Sequence, residues 1–187
     1  LSDHKKCSKC NSKPCCCKLE NKNKIQNNPI NTFNPTINIP ELPGSFSPAF
    51  GNFFRIGFQT IPPNTAMIWT NTGASSGGVF LASPNQIGVT QEGFYYIHYT
   101  VSVEMSTLTN IMALMGIFIN NNEVPNLQSR NAVTNVEADR SECTNLTGGT
   151  IVFIPANALV ELRSILNTIE TCAGFDIAGA INLIKLS

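Results

Sequence analysis

The stretch Ile87–Met105, IGVTQEGFYYIHYTVSVEM, decides the fold. From Phe94 onward, aromatic and β-branched residues crowd together with neither Gly nor Pro among them, and the side chains sort with a period of two. That pattern predicts a long strand entered through a tight turn. Phe94, Tyr96 and His98 share one face of it, and Tyr95, Ile97, Tyr99, Val101 and Val103 share the other. Both faces carry bulk. One is therefore expected to line a sandwich core, while the other meets a second sheet, a loop or another subunit.

Working outward, short apolar runs separated by turn residues predict an all-β sandwich or barrel from Asn52 to the last residue. Phe54, Ile56 and Phe58 alternate in a first strand. Ala66 to Thr70 follows the turn at Pro62-Pro63-Asn64, and Val79 to Ala82 follows the loop TGASSGG. Beyond the central strand, Ala113 to Ile119 leads into Asn120-Asn121-Asn122 and then Glu123 and Val124, a hairpin whose Asn residues tolerate positive φ. Leu127 to Cys143 is polar and ambiguous. Gly148-Gly149 introduces a strand at Thr150 to Ile154, Pro155-Ala156-Asn157 turns the chain, and Leu159 to Ile165 runs back. The stretch AGAINLIKLS, running to Ser187, is expected to be a strand tucked into the middle of a sheet.

Three segments follow from this reading: a Cys- and Lys-rich connector over 1–28, a Pro-rich extended linker over 29–50, and a β domain over 51–187. A body of that length buries a sufficient core without a metal or a staple. Charged residues make up only 13% of the chain, so its polar surface is built mainly from amides, Ser and Thr, as suits a durable external protein or follows from a biased base composition. The formal charge of zero hides an asymmetry. Residues 1–24 carry seven Lys against Asp3 and Glu20, net +5, and the rest carries five basic and ten acidic residues, net −5. A basic arm and an acidic body attract each other head to tail; the plain alternative is a solvated polar tail.

The connector has too few apolar side chains to form a core. Cys7, Cys10, Cys15, Cys16 and Cys17 crowd within it, beside His4. Zinc is one reading, since Cys7, Cys10, Cys15 and a fourth ligand would complete a tetrahedron. Cross-linking between chains is another, because adjacent Cys residues close poorly on each other but each reaches a neighbour. The third is a reduced tail. In the linker, Ile37, Ile39, Leu42, Phe46 and Phe50 recur between five prolines, which favours an extended peptide able to dock by its apolar anchors in a groove or on a sheet edge.

Little catalytic chemistry is legible. His98 is the one His outside the connector and reads as a packed or subunit-facing side chain. Neither GxSxG, HExxH nor a phosphate-binding Gly loop occurs, so the chain is read as a non-enzyme with no cofactor and no bound metal. Cys143 and Cys172 suit a core thiol pair or a structural disulfide better than a nucleophile. Glu137, Asp139 and Glu142 could hold calcium, but the DxDxDG spacing is absent and a solvated loop is the simpler account. Asn145-Leu146-Thr147 is a sequon of weak weight, and TGASSGG is a loop that could accept O-glycans. The most apolar run, Ile111 to Ile119, falls short of the roughly 18 residues of a membrane helix, and the chain opens without an apolar h-region, so neither a membrane span nor a secretory signal is read from it.

Four stretches together resemble the complement/tumour-necrosis-factor-like jelly roll, and within it the bacterial spore-surface versions found at the C-termini of collagen-like exosporium glycoproteins and in basal-layer proteins. They are IGVTQEGFYYIHYTVSV, GIFINNNEVPN, GGTIVFIPANALVEL and the final AINLIKLS. FNPTINIPELPGSF is loosely similar to exosporium leader peptides, and the Cys-rich arm resembles the N-terminal connectors of endospore appendage subunits. A collagen Gly-x-y repeat is missing. The resemblance implies a TNF-like jelly-roll sandwich that forms a homotrimer, with Phe94, Tyr95, Tyr96, Ile97, His98 and Tyr99 in core or trimer packing. It also implies a structural subunit of a spore-surface layer or filament, facing outward on exosporium or appendage. Its partners are then itself, as a trimer and a head-to-tail polymer, and other coat proteins, but no nucleic acid. The alternative is a trimeric module that binds a receptor or a glycan. The clustered Cys residues separate the two, because a cross-linked coat needs them and a receptor ligand does not.

Overall fold

The computed structural model describes residues 47–105, 112–134, 142–172 and 176–187. Among these described residues, thirteen strands form two sheets: β1 (Phe50–Ile56), β2 (Thr60–Ile61), β3 (Asn71–Ser76), β4 (Val79–Ser83), β5 (Gln86–Val89), β6 (Gly93–Met105), β7 (Met112–Ile119), β8 (Asn122–Glu123), β9 (Asn131–Thr134), β10 (Glu142–Ile154), β11 (Ala158–Ser164), β12 (Ile169–Thr171) and β13 (Ile177–Lys185). The expected long strand is β6, and the larger sheet is built on it. On one edge β6 pairs along its whole length with β10. On the other it pairs with β13 from Tyr95 to Val101 and with β12 at Val103 and Glu104. β13 continues to β1 and β3, so this last strand does lie inside the sheet. The second sheet runs β4-β5-β11-β7-β8, with β9 also on β7. No helix among the described residues is long and apolar enough to cross a membrane.

The alternation of β6 resolves as the sequence predicts. Tyr95, Ile97, Tyr99, Val101 and Val103 are fully buried and meet Ile87, Met115, Ile117, Val160 and Leu162 of the facing sheet in one core. Each large side chain taken out of water there contributes about 1.5–3 kcal/mol. The two tyrosines keep a polar tip satisfied. Tyr95 donates to the Gln91 carbonyl (2.9 Å), and Tyr99 to the Ser129 carbonyl (2.7 Å). Asn120 and Asn121 take positive φ (50° and 69°) in the turn between β7 and β8, and Asn157 does so (58°) before β11, as the turn chemistry predicts.

Four elements differ from expectation. TGASSGG, read as a loop, supplies most of β3, which pairs antiparallel with β1. Ala66 to Thr70 is not a strand; Ala66 makes a single bridge to Arg163, and Met67 and Trp69 are core anchors in an irregular segment whose amides donate to Leu162 and Pro84 carbonyls. Their apolar alternation reflects burial without a ladder. The first strand lies earlier than read, leaving Phe58 beyond Gly57 (φ 83°) and outside the ladder. β10 passes straight through Gly148-Gly149. A Cβ at Gly148 would stand 2.5 Å from the Tyr99 hydroxyl and 2.3 Å from Asn131 Nδ2, so glycine is there to admit the tyrosine. The polar stretch after Leu127 contributes β9 and the start of β10.

Candidate interaction surface

The outer face of the larger sheet is laid out by strand register, since residues directly opposite each other project to the same side. Phe94 of β6 lies opposite Phe153 of β10, with ring centroids 5.5 Å apart, edge to face. The next row crosses four strands: Phe50 (β1), Ile184 (β13), Tyr96 (β6) and Ile151 (β10). Leu186, whose amide donates to the Phe94 carbonyl, continues the patch. These seven large side chains are between 38% (Tyr96) and 56% (Ile151) exposed. Beside the row, Phe50, Asn52, Ala74, Asn182 and Ile184 line an open, mainly apolar groove of about 300 Å³.

The following row is polar. Asn52 Nδ2 donates to Asn182 Oδ1 (2.8 Å), and Asn182 lies opposite His98, which has Gly149 on its other side. The His98 ring is 6.3 Å from that of Tyr96, roughly parallel to it. One row further, the Thr100 and Thr147 hydroxyls are 3.2 Å apart. His98 thus has an aromatic ring, an amide and a glycine around it in the sheet.

The outer face of the other sheet has a different character. Glu161 is buried there and accepts from Arg163 and from Gln86 (3.3 Å), while the Arg163 guanidinium lies 4.7 Å from the Phe118 ring centre. Glu161 and Arg163 thus neutralise each other. The exposed Phe80 of this face covers Gly88, where a Cβ would stand 2.6 Å from the ring. Among the described residues, the apolar rows of the larger sheet are the broader exposed apolar surface of the two outer faces.

The structure brings Phe94, Tyr96, His98 and Phe50 onto this one face and places Tyr95, Ile97 and Tyr99 behind it in the core. Phe50, read as a linker anchor, is the first residue of β1. Cys7, Cys10, Cys15, Cys16, Cys17, Ile37, Ile39, Leu42 and Phe46 lie outside the described residues, as do Glu137 and Asp139. No group of three or more potential metal ligands occurs among the described residues. Cys143 and Cys172 form a disulfide with a Cα–Cα distance of 5.6 Å. Sequence reasoning missed Ile151, Phe153 and Ile184 as surface residues. In TIVFIP every position from Ile151 to Ile154 is apolar, so no polar alternation marked a face; only pairing with β6 does.

No known family pattern and no curated protein matches the sequence. Solved structures share the fold. The globular domain of zebrafish complement 1qA is 9% identical, covering 74% of this chain and 98% of that one with a TM-score of 0.56. For Eiger TNF from S. frugiperda the figures are 11% identity, 76% and 93% coverage, and a TM-score of 0.58. For murine APRIL at pH 5.0 they are 9%, 75% and 100%, and 0.51. The chain therefore has the complement 1q/TNF-like jelly-roll fold.

Proposed function

We propose that the chain is a self-assembling structural subunit of a bacterial spore-surface layer or filament, without a catalytic site. The subunits pack as trimers through the outer face of the larger sheet and are joined head to tail through their N-terminal segments and inter-chain disulfides. The apolar band from Phe50 across Ile184 and Tyr96 to Ile151, flanked by Phe94, Phe153 and Leu186, carries the assembly part of this reading. Covering what remains exposed of each side chain returns roughly 1 kcal/mol, so seven of them supply a gross gain that exceeds the lower estimates of the association cost, about 4 kcal/mol. A groove at the β1–β13 margin and bulky side chains on β10 suit a head-to-tail contact, and such a contact closes into a three-membered ring when it turns each copy by a third of a circle. The spore-surface setting is supported by the resemblance of the four sequence stretches, and the coat role, over a receptor- or glycan-binding module, by the five clustered Cys.

Sedimentation equilibrium of the full chain under reducing conditions tests the packing. The expected mass is that of three chains, and the Tyr96→Asp, Ile151→Asp variant is expected to sediment as one folded chain, because it puts charges where two apolar contacts form. A native protein that stays monomeric at micromolar concentration sinks the trimer.

A further inference from the structure

A second apolar cluster lies at the other end of the larger sheet. Ile56 and Ile177 are register partners there, and with Phe58 and Ile68 they are 40–56% exposed. The cluster is held in place. The Arg55 guanidinium donates to the carbonyls of Phe58 (2.5 Å), Gly57 (3.1 Å) and Ile68 (3.4 Å), pinning together the two segments that carry the aromatic and the isoleucine. The Gly57 amide donates to the Asp176 carbonyl (3.2 Å), which ties the start of β13 to the same spot. Carboxylates collect around it. Asp176 precedes Ile177, and Glu170 lies opposite Glu104 across β12 and β6. This end of the sheet is thus apolar, with the Arg55 cation held on backbone carbonyls at its centre and the Asp176 and Glu170 carboxylates beside it.

The chain itself contains a segment of complementary chemistry. Residues 1–24 carry seven Lys for a net +5, and Ile37, Ile39, Leu42 and Phe46 follow. That segment joins the body at Ser47, next to the first residue of β1, whereas Ile56 is the last residue of β1, roughly 20 Å away along the strand. In a head-to-tail stack, the end of one copy where the segment joins faces this apolar end of the next.

We propose that the Ile56–Phe58–Ile68–Ile177 cluster is the docking surface for residues 1–46 of a second copy, the apolar side chains seating on it and the lysines meeting Asp176 and Glu170. This rests on the self-assembly reading above and assigns its head-to-tail joint to a place. The joint is distinct from the Phe50–Ile151 band, so the two fail separately when altered.

The test uses the full chain under reducing conditions, as an equal mixture of unlabelled and ¹⁵N-labelled protein, treated with a zero-length carbodiimide cross-linker and read by mass spectrometry. Mixed-isotope links from the lysines of residues 5–24 to Asp176 or Glu170 are the expected result. They should fall about tenfold in Phe58→Ser, Ile177→Ser and again when 0.5 M salt screens the charges. Ile37→Ser, Ile39→Ser leaves the body sequence untouched and should cause the same loss without any question of folding. Links confined to one isotope would show the segment binding its own body, and mixed links that fall instead on Glu92 would place the joint at the other end; either overturns the proposal. Trimers that give no such links overturn it and leave the trimer standing, whereas a chain that is monomeric throughout removes the assembly reading beneath it.

Discussion

Tyr99 shows how a single residue can be both core and lock. Its ring is fully buried and its hydroxyl donates to the Ser129 carbonyl, while Ser129 Oγ in turn accepts from the Ile117 amide (2.9 Å). Burial pushes its pKa up to about 12, partly offset by hydrogen bonding to Asn131. The folded protein therefore holds this phenol neutral where an unfolded chain ionises near its ordinary value. The resulting stability is fully present below about pH 10, is lost progressively from there to about pH 12, and amounts to roughly 2–3 kcal/mol over that interval. Denaturant midpoints at pH 9 and pH 11.5 are expected to differ more in the native chain than in Tyr99→Phe. That variant loses about 1–2 kcal/mol at neutral pH by leaving the Ser129 carbonyl short of a donor. An equal pH dependence in both proteins counts against the phenol. Ile97→Asp, which places a carboxylate in the same core, should cost at least about 3 kcal/mol, read as a large fall in melting temperature.

At the level of elements, legibility followed the chemistry of each strand's two faces. β6 was readable because aromatic and β-branched residues run through it with a period of two and no Gly or Pro after its first residue, and the Asn-rich and Pro-Ala-Asn turns because positive φ selects Asn. β10 was half readable. Gly148 and Gly149 look like a break in a linear sequence, and only the Tyr99 ring on the neighbouring strand explains them. For the same reason the apolar band went unseen as a surface, since it exists only when four strands, whose residues Phe50 and Ile184 lie 134 positions apart, are laid side by side. The Cys143–Cys172 disulfide belongs to this scale as well. It joins the start of β10 to the residue after β12, closing a 29-residue separation, so it limits the unfolded chain as well as holding the sheet end. Cys143→Ser, Cys172→Ser is expected to lower stability by about 3 kcal/mol. A melting temperature equal to that of the oxidised native protein would mean that the bond adds nothing.

For the whole molecule, that disulfide constrains what the remaining thiols can do. Of the seven Cys, two are paired within the body, which leaves Cys7, Cys10, Cys15, Cys16 and Cys17, an odd number. One chain cannot satisfy five thiols among themselves, and neither can three chains with fifteen. Full oxidation therefore requires at least one bond that leaves a trimer, whichever Cys pairs with which. In a stack where each body also receives a neighbour's segment, the effective concentration of thiols at the joint is raised, and exchange there proceeds once an oxidant is present. Replacing these five Cys by Ser should then leave assemblies that still form, since the proposed docking and trimer contacts use other residues, but that dissolve in denaturant without reductant. The native protein, oxidised in parallel, should persist until reductant is added, with the bonds identified as inter-chain cystines by non-reducing peptide mapping. Serine-substituted assemblies that resist denaturant as well as the native ones would exclude disulfides as the lock. Stoichiometric zinc bound by the native segment would replace that lock with a metal clasp.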